Sequence, residues 1–254
     1  MTRFVRRMDS PPSPAASNAN RKWWIGSVLM AVVFGGSAAG GWMLLRSAQA
    51  RHEAMAQREM TRASPVTTSE DALAARALSN YLAKIRAQVR DHEAAFLRLQ
   101  EQKALSWNIH ERTDIERDRQ IIRDFLTTNA RLADTLQNGE GFIRAELDTA
   151  KVPAAVRESA LALYAKTEGP LLPLQMRVRH CDQVIGESAL AVLDLLDFNW
   201  GTWQRDDATG QLDFANTVTL AAFKDYVGKI ASAATERKDA EEELSNYQKR
   251  RPPP

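Results

Sequence analysis

Residues 78–99, LSNYLAKIRAQVRDHEAAFLRL, decide the class of fold. Leu78, Leu82, Ile85, Val89, His92, Phe96 and Leu99 recur at alternating spacings of four and three. That is a heptad seam, the pattern of a helix packed along one stripe in a coiled coil or bundle. His92 is its one polar member. A buried histidine can serve as a pH sensor or a metal ligand. No neighbour here has ligand spacing, so the expectation is a histidine satisfied within the core or at the edge of the seam.

The segments downstream repeat the helical pattern. Thr113-Asp114 opens a second amphipathic stretch with Ile115, Ile122, Leu126, Ala133, Leu136, Ile143 and Leu147 on one stripe. Gly139 and Gly141 weaken its middle by about 1 kcal/mol each relative to alanine, which predicts a kink or interruption. Val152-Pro153 reads as a turn with Pro153 in the first helical position. Gly169-Pro170 and Pro173 then divide or kink the following helix. Its second half, from Met176 to Leu196, is apolar enough to be the central helix. Between Phe198 and Phe214 the pattern changes. Asp206 to Gly210 is turn chemistry, with Gly210 available for positive φ, and predicts a small β-hairpin at about 200–214. Asn216 or Thr217 caps a last helix toward Tyr247, whose charged stretch from Glu236 to Glu243 reads as a solvated face.

Upstream of the seam, Ser69 reads as an N-cap with Glu70 and Asp71 in the first turn. Earlier still, Trp23 to Leu45 is uncharged and mostly apolar, with Arg21-Lys22 before it and Arg46 after it. As a helix it is about 34 Å long, enough for a hydrocarbon core of about 30 Å. Trp23, Trp24 and Trp42 suit the two interfaces. Ala48-Gln49-Ala50 offers a rival reading, a signal peptide cut after Ala50. The length of the run, the long segment before it and Arg46 favour an uncleaved anchor. Gly35, Gly36, Ser37, Ala39, Gly40 and Gly41 form small-x-x-x-small pairs, a possible dimer face between membrane helices. The resulting division is a basic tail at 1–22, a membrane helix at 23–45, a helical stalk and linker at 46–68, a bundle domain at 69–249 and a Pro-rich tail at 250–254. The expected fold is mainly α: one transmembrane helix, then an antiparallel long-helix bundle with one small hairpin.

The chain has 254 residues and a net charge of +2. Its excess of arginine and lysine lies beside the apolar run, so the distal part is mildly acidic. That argues against nucleic-acid binding, which needs a concentrated basic face. The single cysteine, Cys181, cannot form an intramolecular disulfide.

Motifs for catalysis are scarce. There is no Gly-rich phosphate loop, Cys-x-x-Cys, His-x-x-x-His or Gly-x-Ser-x-Gly element. His180-Cys181-Asp182 sets base, nucleophile and acid side by side, but adjacent helical residues point about 100° apart. Asp194 and Asp197 share a helix face and are weak evidence for a metal; Asp206, Asp207 and Asp213 lack calcium-loop spacing. No catalytic residue, metal ligand or cofactor is therefore expected. Phe198, Trp200, Trp203 and Phe214 form the densest aromatic group beyond the apolar run. They either fix the hairpin to the helices or offer a patch to a partner. The expected function is a non-enzymatic interaction or scaffolding module on the lipid bilayer, with a protein partner or self-association through the membrane helix. The positive-inside balance leans slightly toward an inside N-terminus, which for a bacterial inner-membrane protein, the location expected here, puts the C-terminal domain in the periplasm. The competing expectation is a small-ligand sensor binding between helices and signalling through a separate partner.

Overall fold

The computed structural model describes residues 69–206 and 210–250, apart from the side chain of Asp71. The expected tail 1–22, membrane helix 23–45 with its small-residue face, stalk 46–68 and residues 251–254 lie outside the described residues. Among the described residues no helix is long and apolar enough to cross a membrane.

The order of elements is α1 (Ser69–Glu101), α2 (Arg112–Gln137), α3 (Gly139–Thr149), α4 (Ala154–Glu168), α5 (Leu172–Phe198), β1 (Trp203–Arg205), β2 (Leu212–Phe214) and α6 (Thr217–Arg250). The last helix runs one residue beyond the expected boundary at 249. The four long helices pack in chain order, α1 on α2, α2 on α5 and α5 on α6. Each neighbouring pair is antiparallel. His92 meets Thr128 while Arg98 meets Asp124; Arg119 meets Asp194 while Asn129 meets Arg179; Asp182 meets Arg237 while Asn199 meets Thr219.

Two hydrophobic cores share α1. The larger lies toward its C-terminal end and gathers Leu99, Leu105, Ile122, Phe125, Leu193 and Ile230 with the hairpin's Trp203. The smaller lies toward Ser69 and joins Ala74, Ala77 and Tyr81 to Ile143, Leu147 and Leu161 of α3 and α4. The buried face of α1 is turned from the expected seam. Tyr81, His92, Ala95 and Leu99 are buried, whereas Leu82, Val89 and Phe96 are only half-buried. A strict seam describes one partner; α1 has α2, α3 and α4 against it. Alanines at 74, 77 and 95 let those helices approach closely.

The weakness expected near Gly139 is a break at Asn138, where α2 ends and α3 begins. The position demands glycine. A Cβ there would lie 2.1 Å from the Tyr164 hydroxyl and 2.3 Å from that of Tyr81. Pro153 falls one position earlier than expected, as the residue preceding α4, with φ −55° and ψ 147°. Pro173 sits in the first turn of α5, where no backbone N–H is needed.

The hairpin pairs Trp203 with Phe214, Gln204 with Asp213 and Arg205 with Leu212. Gly210 supplies the positive φ, +70°. Asn216 then caps α6, its Oδ1 accepting the Val218 N–H at 2.8 Å.

Candidate functional site

Charged residues are rarely buried unless paired, so a charged layer inside a helical domain is the first place to look for function. One such layer crosses all four long helices. Asp182 on α5 is fully buried, and its carboxylate is surrounded. Oδ2 lies 3.1 Å from His92 Nε2 of α1 and 3.1 Å from Arg179 Nη2, one helical turn before it. Oδ1 lies 2.7 Å from Arg237 Nε of α6. Arg237 also reaches Glu241 at 2.9 Å and lays its guanidinium over the Phe96 ring, 4.8 Å from the centroid. α2 contributes uncharged groups: Thr128 Oγ1 lies 3.2 Å from His92 Nδ1, and the Phe125 ring stacks on the imidazole at 5.0 Å.

Opposing forces set the charge states. Burial alone would raise the Asp182 carboxyl, but Arg237, Arg179 and the His92 hydrogen bond hold it well below the usual carboxylate range. Burial lowers His92 below its ordinary value despite Asp182, with both arginines adding to the effect. Burial raises Glu241 against the pull of Arg237. Near neutral pH the layer therefore holds a neutral imidazole and an ionised Asp182 between two guanidinium groups. Its charges pair with one another, while Arg179 Nη1 stays buried without a hydrogen-bond partner.

His92 is thus satisfied within the core, the first of the two placements expected for it. Among the described residues no group of three or more His, Cys, Asp and Glu converges as metal ligands do. The 180–182 triplet does not assemble. His180 is exposed, Cys181 is buried with burial pushing its thiol up to about 11, and Asp182 turns into the charged layer. A thiol so raised carries almost no thiolate at neutral pH and is a poor nucleophile. Asp194 and Asp197 do share a face, but Arg119 occupies it, with Nη2 2.8 Å from Asp194 and 3.1 Å from Asp197. Arg112 adds a contact to Asp197 at 3.4 Å. The two acids hold α5 to α2.

The four aromatic residues around the hairpin separate into two roles. Trp203 is buried and donates its indole N–H to the Leu196 carbonyl at 2.8 Å. Trp200 meets Trp203 edge-on at 5.4 Å, and Phe214 packs on Phe223 at 5.1 Å. These three fix the hairpin to the helices. Phe198 does not join them: it is 91% exposed, and Val218, across the Asn199–Thr219 contact, is 74% exposed.

Compared with models of protein families, with curated proteins and with solved structures, the chain finds no match in any of the three.

Arg179 and Thr128 carried no expectation, and Arg237 and Glu241, expected on a solvated face, turn inward with side chains 13% and 17% exposed. A signal did exist: Arg179 and Asp182 are three apart, and Arg237 and Glu241 four apart, within stretches whose other inward positions are apolar. Val178, Cys181 and Ile185 flank the first pair; Ala233, Ala234 and Ala240 flank the second. Charges that interrupt an apolar stripe in opposite-sign pairs point toward the core.

Proposed function

We propose that this chain is a non-enzymatic interaction module: an antiparallel helical bundle, carried on the 23–45 membrane helix and its stalk, that binds another protein of the cell envelope. The observation that supports this most is the exposed apolar pair Phe198 and Val218. Exposure of a whole phenylalanine ring forgoes on the order of 2 kcal/mol of burial, and every other aromatic in that group is packed. The pair sits with the larger core, at the end of α1 remote from Ser69. The 33-residue α1 is about 50 Å long, which separates this patch from the end of the domain that the proposed anchor would precede. A ligand sensor draws less support, since the charged groups between the helices are taken up by one another.

Photo-crosslinking in the full-length chain tests the reading. A crosslinker at position 198 is expected to capture a defined protein in cells, and one at exposed Arg131 is not. Equal, diffuse labelling at both positions overturns the proposal. Phe198→Ser is expected to abolish capture by a crosslinker at position 218 while changing stability by no more than about 0.5 kcal/mol. Reporters fused after Pro254 and active on only one side of the membrane test the expected orientation.

A further inference from the structure

Hydrogen-bond valence around His92 leaves two complete arrangements that differ by one proton. A carboxylate oxygen only accepts, so the contact at Asp182 Oδ2 requires a proton on His92 Nε2. The other ring nitrogen faces Thr128 Oγ1, which also lies 2.9 Å from the Phe125 carbonyl. A threonine hydroxyl has one proton to give and lone pairs to accept with. With neutral His92, the hydroxyl donates to Nδ1. With a proton added at Nδ1, that N–H donates to Oγ1, and the hydroxyl turns to donate to the Phe125 carbonyl. Neither state leaves a buried polar group of the ring or the hydroxyl unsatisfied.

The electrostatics do change. Arg179 and Asp182 face the imidazole from α5 and Arg237 from α6, with Glu241 behind Arg237. α2 presents Thr128 and Phe125, and on α1 itself Glu93 acts on Arg179. An imidazolium becomes the third cation on a single carboxylate. Arg179 travels with Asp182 on the same helix, but Arg237 is the basic contact that α6 makes to that carboxylate, and it would then face a new like charge.

We propose that His92 and Thr128 form a proton-accepting switch that weakens the attachment of α6 to α1 and α5 on acidification. It is independent of any partner at Phe198.

The test follows the folded full-length chain from about pH 7.5 to about pH 4.5, a span that brackets histidine titration. Nitrogen chemical shifts in histidine-labelled protein are expected to show the Nε2–H tautomer at the upper end and Nδ1 protonation on descent. Over the same midpoint, amide-exchange protection in α6 around Arg237 is expected to fall about tenfold. His92→Gln is expected to remove that fall. Thr128→Val, which deprives the imidazolium of its acceptor, is expected to move the midpoint to lower pH. The proposal is overturned if His92 stays neutral until the chain unfolds, if α6 loosens identically in His92→Gln, or if Thr128→Val leaves the midpoint unchanged. Should His92→Gln fail to fold, the unsubstituted chain still decides: midpoints for the ring nitrogens and for α6 that do not coincide overturn it.

Discussion

At Asp182 a single carboxylate serves two guanidinium groups and the His92 ring, so its loss costs more than its own contacts. Asp182→Asn removes the charge but leaves the Arg179 and Arg237 guanidinium groups in place, one of them with Nη1 already buried and unpartnered. Breaking a buried ion pair from one side costs about 3–5 kcal/mol, and urea unfolding of the variant is expected to show a loss of that size. Two lysines offer the opposite change. Lys103 and Lys151 have φ of 52° and 54°, the left-handed region that glycine enters freely. Each follows a helix in the same closing motif: Ala104 donates to the Leu99 carbonyl and Val152 to that of Leu147, and both Ala104 and Val152 are buried. Lys151→Gly is expected to raise stability by about 0.5–1 kcal/mol, the relief at φ being partly offset by a freer unfolded chain. Thermal unfolding of the single variant checks it.

Among the elements, the break between α2 and α3 is held by contact rather than by sequence alone. Tyr81 and Tyr164 bring their hydroxyls to 3.2 Å across it, with the rings edge-on at 5.5 Å. Gly139→Ala forces both tyrosines to move and is expected to cost about 1–3 kcal/mol, whereas Gly141→Ala meets open space and is expected to stabilise α3 slightly. Denaturation midpoints of the two variants should therefore move in opposite directions. Helix identities were legible because periodicity, proline and glycine are local signals: the breaks at 138 and 169–171 and the hairpin turn at Gly210 all fall where those residues stand. The faces were less legible. Tyr81 and Phe125 are buried beside, not on, the expected stripes, because a helix with several partners buries a wider arc than a two-helix seam. The charged layer was the least legible part. His92 and Asp182 are ninety positions apart, and no local pattern carries that distance.

Over the whole molecule, proton linkage and the division into two cores set how the fold fails. His92 is lowered in the folded state, so unfolded chain takes up protons first, and stability falls as pH drops below the ordinary histidine value of 6.5. Asp182 is lowered too, and its contribution is lost as pH falls below the ordinary value of 3.8. Glu241 is raised and works in the opposite sense, gaining stability as pH falls toward its ordinary value. Thermal scans of the full chain are expected to show a decline beginning near pH 6.5 that His92→Gln lacks. The smaller core is expected to open independently. Leu161→Ala should cost about 2–5 kcal/mol and speed amide exchange in α3, α4 and the first turns of α1, leaving α5 and α6 protected.

Because α1 runs through both cores, a load on one end of it would reach them in turn. A load applied at Ser69 would meet Ala74, Ala77 and Tyr81, in the smaller core, before Leu99, in the larger. The smaller core would then be the first to carry that load, and the end that bears the hairpin and Phe198 the last.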